Sequence, residues 1–302
     1  MLAVVLAAGL MATGCGGTSG TQKTALSAAP AAVVAAAPAV SGNAEELAGA
    51  PVLGTTYQME AMFSHDWLRI TPGGTDISSL NLGFTYYWKP VNNDDTPVGL
   101  QEFMQKATKA GVKLWFISPD VGSDETAWEI AGNYGIMDNK LIAEAALNGK
   151  FGLGDMVLAG NDWFGIRLGA KYYILDTLTA GLAYSCSRDS EADTTVDQVI
   201  ISSEYAVQLG GRWLDSGLTI YRYITPGGTT TTIGLDFTYY ILKELGVNVM
   251  YARTGGDDEA DTFGIGAKYY YGPFGFGLAY RQISIDPNPD ISDFGLTVEF
   301  RF

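Results

Sequence analysis

Histidine occurs once in this chain, at position 65, and cysteine twice, at 15 and 186. That inventory cannot supply the usual structural zinc sites, and no CxxCH segment offers haem attachment. A phosphate-cradling GxxxxGK[ST] loop is also missing, so no cofactor is expected. Charge is sparse, 17% of residues, and lopsided, with 18 basic against 33 acidic side chains and a net charge of -15. Nothing resembles a basic patch able to neutralise phosphates, so nucleic acid is excluded as a partner. No interior stretch reaches the roughly 18 uninterrupted apolar residues of a spanning helix.

What the chain does have is glycine, tyrosine and phenylalanine: 38, 17 and 13 residues. From Tyr57 onward they fall in a period of two, the mark of strands with one apolar face. "LNLGFTYYW" puts Leu80, Leu82, Phe84, Tyr86 and Trp88 on one side, and "GIRLGAKYYI" sets Ile166, Leu168, Ala170, Tyr172 and Ile174 against Arg167, Gly169, Lys171 and Tyr173. Such runs predict about fourteen strands of roughly ten residues, beginning near 56, 76, 112, 126, 140, 160, 178, 194, 211, 230, 245, 261, 274 and 290. "VKLWFIS", in the third, is apolar on both faces.

The connections sort by parity. "SRDSEADTT", "TGGDDEAD" and "DPNPDIS" follow odd strands and are polar and acidic, whereas "LDT", "LGG", "KEL" and "YGP" follow even ones and are tight. Long loops outside and short turns at the periplasm characterise outer-membrane barrels. One even gap differs: "KPVNNDDTPVGLQEFMQKATKAG". Thr96 suits an N-cap, Pro97 the first helical position and Glu102 the first turns. Leu100, Phe103 and Met104 make an apolar stripe and Gly111 a stop. A short amphipathic helix is expected, either plugging the lumen base or lying at the periplasmic membrane surface. Repeats keep the same parity: "ITPGGT" occurs in the first and ninth strand regions, and "GAKYY" followed by "GLAY" in the sixth and twelfth.

The predicted organisation is therefore a leader at 1–15, an Ala/Pro-rich tether at 16–52 and a barrel at 53–302. "MLAVVLAAGLMATGC" reads as a signal peptide with a lipoprotein box that would lipidate Cys15, although no Lys or Arg precedes the apolar run; cleavage in the alanine-rich stretch stays open. Cys186 reads as filler within a strand.

With the aromatic face turned to lipid, the other face gives the candidate pore-lining residues: Glu60, Glu129, Glu144, Arg167, Lys171, Glu204, Arg222, Asp236, Lys268, Arg281, Glu299 and Arg301. Charge on the lipid side is costly, so these groups line water or pair across the lumen. Glycines 169, 181, 234, 266, 275 and 277 leave room inside, while Tyr173, Tyr240 and Tyr270 refill it. Acidic outer loops would concentrate cations at the mouth.

Two stretches carry a resemblance. The final "FGLTVEFRF", alternating down to Phe300 and Phe302, resembles the barrel-assembly signal of Gram-negative outer-membrane proteins. "FTYYWKPVNNDDTPVGLQEFMQKATKAGV" resembles a segment of a family of general bacterial porins, in which a YY…P strand end precedes a Pro-Leu-x-E-F helix. The resemblance implies insertion into the bacterial outer membrane by the barrel-assembly machinery and passive passage of small hydrophilic solutes. Homo-oligomer formation stays open. The fold expected is all-β: a transmembrane antiparallel up-and-down barrel of about fourteen strands with one short periplasmic helix. A soluble β-sandwich is the fold-level alternative. The functional expectation is a porin-like channel and not an enzyme. Its rivals are a filled-lumen structural or adhesive surface barrel, a sleeve for an electron-carrying partner, and a barrel hydrolase built on His65 if a serine approaches it at the outer rim.

Overall fold

The structure, a computed structural model, describes residues 56–71, 74–92, 96–120, 124–152, 163–189, 194–225, 228–256, 259–286 and 290–302. The expected leader, Cys15 and the tether lie outside these residues. The chain runs through fourteen strands: β1 (Thr56–Thr71), β2 (Thr75–Asn92), β3 (Lys109–Pro119), β4 (Glu125–Ile136), β5 (Leu141–Gly152), β6 (Trp163–Leu175) and β7 (Leu178–Asp189), then β8 (Thr194–Leu209), β9 (Arg212–Thr225), β10 (Gly228–Tyr240), β11 (Leu245–Gly255), β12 (Glu259–Tyr271), β13 (Phe274–Asp286) and β14 (Asp290–Arg301). Each strand pairs with its neighbours in sequence, and β1 pairs with β14, so the sheet closes on itself. Closure removes both edges.

The last residue takes part in this closure. Phe302 accepts hydrogen bonds at its carbonyl from Gln58 N and Met59 N, at 2.9 and 2.8 Å, and donates its own N–H to the Met59 carbonyl at 2.9 Å. Registers such as Phe63↔Val298 and Trp67↔Phe294 put the aromatic face of β14 beside that of β1. The same face continues around the barrel through Leu82, Phe84, Leu168, Leu182, Ile201 and Ile265, all exposed on the outside, with Leu182 reaching 61%. A predominantly apolar exterior on a closed sheet is what lipid requires. A sandwich would have covered this face.

The repeats fall on equivalent hairpins. The first "ITPGGT" joins β1 to β2 and the second joins β9 to β10, while "GAKYY" lies in β6 and in β12. The acidic connections are shorter than expected because the strands run on into them: β7 continues to Asp189 and β8 already begins at Thr194. Extended backbone keeps its ladder hydrogen bonds, and the polar side chains of these stretches need no loop to reach water. The turn from β4 to β5 holds Met137, Asp138 and Asn139 all at positive φ, between 54° and 60°. Asp and Asn tolerate that conformation, but methionine does so only with strain.

The insert between β2 and β3 departs from its expected form. A 3-10 turn at Val98–Leu100 leads into a single-turn helix, α1 (Gln101–Met104). Pro97 itself occupies the N-cap position, with no side-chain cap, so Thr96 does not cap it. The helix ends at Met104, and Lys106, two residues on, adopts φ 52°. Gly111 is no stop signal but a residue of β3, paired with Thr85. β3 starts at Lys109 rather than near 112 because the segment read as the helix end extends the ladder instead.

Candidate functional site

The insert lies inside the barrel at its short-turn end, settling the choice between plug and surface helix. Leu100 is 1% exposed and packs with Ala206 of β8 and Tyr240 of β10, flanked by Phe103, Met104 and Trp213. Val98 N donates to the Lys243 carbonyl at 3.0 Å. The Tyr173 hydroxyl of β6 donates to the Phe103 carbonyl at 2.9 Å, and Lys106 reaches Asp176 in the next turn at 2.7 Å. That hydrogen-bonded ammonium lowers the Asp176 carboxyl. Tyr87 of β2 donates to Glu102, whose other oxygen pairs with Lys109 of β3. The segment thus touches β2 and β3 on one side and β6, β8 and β10 on the far side, bridging the lumen. Gly99 permits the approach, since a Cβ there would meet the Tyr240 hydroxyl at 2.8 Å.

Arg301 joins the plug to the wall where the barrel closes. Its Nη1 donates to the Val98 carbonyl at 3.2 Å and its Nε to Glu60 at 2.7 Å. The guanidinium lies between two rings, 4.7 Å from the Tyr57 centroid and 4.5 Å from that of Tyr270. Glu299 stands 3.8 Å away and also pairs with Lys268. Arginine suits the position because its planar fork stacks on rings while still donating at its edge. A register shift between Tyr57 and Met59 turns Tyr57 inward on the same strand as Glu60. Glu102, outside the spanning strands, belongs to the same network. Burial pushes its carboxyl up, but the charges of Lys109 and Arg301 and the hydrogen bonds from Lys109 and Tyr87 outweigh that and hold it at about 2.

The expected pore-lining residues distribute as follows. Glu60, Lys268, Glu299 and Arg301 point inward and form the base network. Arg167 pairs with Glu129 at 3.4 Å, Lys171 with Glu204 at 3.2 Å, and Arg281 with Asp293. Glu144 and Asp236 also face inward, by their registers with Gly169 and Gly217, and make no ion pair among the described residues. Arg222 is a correction. Its neighbours Tyr221 and Tyr223 stack on each other at 6.2 Å and Tyr223 is buried inside, so strand alternation sends Arg222 outward, on the face of Ile220 and Ile224. It lies three residues from the outer end of β9, where a lipid-facing charge costs only about 0–1 kcal/mol.

Tyr173, Tyr240 and Tyr270 do fill space, each against the plug or its network. Sequence reading missed Lys113, which faces inward opposite Glu129, and the Lys150–Glu125 pair at 2.5 Å. It also missed Asp215, Asn248 and an inward cluster of Ile70, Ile77 and Ile291 at the outer end. Period two was enough to find Asp215, between Trp213 and Gly217 on the inner face of β9.

A serine does approach His65. Ser78 Oγ lies 2.6 Å from His65 Nε2. Both residues are on the outer wall, because His65 shares a face with Leu80 and Leu296. No group among the described residues hydrogen-bonds the second ring nitrogen. Cys186 is also on the outer wall, opposite Ile166.

No protein-family model matches the chain, and no curated protein matches it in sequence. Solved structures do match. The Acinetobacter baumannii outer membrane protein Omp33 superposes over 82% of this chain and 100% of its own, with a TM-score of 0.55 at 15% identity. A bacterial polysaccharide outer membrane secretin covers 82% of this chain and 99% of its own, with a TM-score of 0.50 at 9% identity. The chain folds as an outer-membrane-type β-barrel. At these identities the likeness is one of fold.

Proposed function

We propose that this barrel is a passive channel of the bacterial outer membrane for small hydrophilic solutes, narrowed at its periplasmic end by the Val98–Met104 plug. The observation that carries the reading is the lumen itself: a closed barrel lined by charged and small polar side chains, with Glu144 and Asp236 left without ion pairs among the described residues. Groups of this kind face water in a conducting barrel, whereas a purely structural barrel gains nothing by leaving them uncompensated. The solved outer-membrane structures supply the fold precedent, and the exposed Phe300 and Phe302 at the short-turn end fit a barrel-assembly signal.

Swelling of proteoliposomes in neutral polyols of graded size tests this. Size-dependent swelling above that of protein-free vesicles supports the channel. A folded, inserted barrel that admits none of the polyols sinks it and leaves the filled-lumen barrel.

One observation favours a second reading. The Ser78–His65 contact on the lipid-facing wall has the reach of a nucleophile and its base, which would suit a lipid ester. Ester release from phospholipid vesicles that persists in Ser78→Ala removes that reading, as does the absence of release from the unaltered barrel.

A further inference from the structure

Above the plug, on the β6–β12 side of the lumen, lies a chamber of about 390 Å³ with Gly99 at its edge. Glu204, Asp215 and Asp236 line it, together with Lys171, Lys268 and Asn248. Both ammonium groups are already engaged, Lys171 with Glu204 and Lys268 with Glu299. Among the described residues Asp215 and Asp236 make no ion pair, and Asp215 Oδ1 accepts no hydrogen bond. Asn248, on the adjacent strand β11, is 2% exposed, and its Oδ1 has no partner either among the described residues. A buried acceptor without a protein donor must be satisfied by whatever fills the chamber, and carboxylates facing one space repel each other. A molecule bearing positive charge and N–H donors meets both needs at once.

A bare metal ion does not meet this need: no group of three or more His, Cys, Asp or Glu among the described residues is placed to hold one. Donors spread over a molecule can reach acceptors on separate strands. The volume falls within the roughly 300–1,000 Å³ of small-molecule sites. We propose that the chamber bounded by Asp215, Asp236 and Asn248 binds a small organic cation carrying primary ammonium groups, a short aliphatic diamine being the simplest. This rests on the channel reading, to which it adds the solute class that the lumen selects.

The test is isothermal titration of the full, refolded barrel in detergent micelles with 1,5-diaminopentane. 1,5-Pentanediol serves as the neutral isostere and magnesium chloride as the ionic-strength control. The expected result is saturable one-site binding of the diamine alone. Asp215→Asn and Asp236→Asn should each weaken it about tenfold or more, as loss of a charged acceptor implies. Lys171→Ala, which frees Glu204, should tighten it and keeps the proposal testable if either Asn variant fails to fold. No saturable heat overturns the proposal. So does unchanged affinity in the folded Asn variants, or equal binding of magnesium, which would place the effect at the acidic rim. Micelle binding involves no transport, so its failure leaves the swelling result standing, and the converse holds.

Discussion

Glu102→Gln is the substitution that best isolates the plug. Glutamine keeps the size of the side chain and its capacity to accept from the Tyr87 hydroxyl, but removes the charge that Lys109 and Arg301 face. The Glu102 carboxyl is held at about 2 against an ordinary 4.5. Converted at about 1.4 kcal/mol per unit, and taken at the lower end because the side chain keeps some exposure, the charge contributes about 2–3 kcal/mol to the docked state. Its loss lowers the ratio of docked to undocked plug about 30- to 150-fold. In single-channel records the wild type should dwell in a low-conductance state with rare larger openings. Glu102→Gln should show the larger openings far more often, at unchanged maximum step size. A folded variant with wild-type dwell times would refute the docking argument.

Other consequences follow from the same contacts. Because the Glu102 carboxyl is depressed, its contribution is complete above 4.5 and lost as pH falls towards about 2; channel records taken from pH 7 downward should show no plug release from this group until below 4.5. Arg301→Ala leaves Glu60 buried without its partner, and the urea midpoint of the refolded barrel should fall by the equivalent of about 3–5 kcal/mol. Met137→Gly relieves a left-handed methionine in an exposed turn and should raise stability by about 0.5–1 kcal/mol in the same unfolding assay.

Most of the fold was legible because the physics of a barrel is local. A strand facing lipid on one side and a lumen on the other must alternate, and the starts of β1, β7, β8, β11, β13 and β14 were readable to the residue from that rule alone. Alternation also gave the inner face, except at Arg222, whose charge favours the interior but yields to two tyrosines of the other parity, Tyr221 and Tyr223. The base network was not legible. It depends on an insert folding inward, so that Glu102 meets Lys109 across the turn that ends α1, and on the irregular register that turns Tyr57 towards Arg301. Neither has a periodic signature. The chamber acceptors were half visible: Asp236 was on the inner face from the start, whereas the want of a partner for Asn248 is a property of packing.

The central claim is that water and ions traverse the lumen past the plug. Current through single wild-type barrels in a planar bilayer, with a salt gradient across it, tests that most directly. The account predicts discrete steps, mostly small, with a reversal potential on the cation-preferring side. A folded, inserted barrel that passes no current, in the wild type and in Glu102→Gln alike, would contradict it.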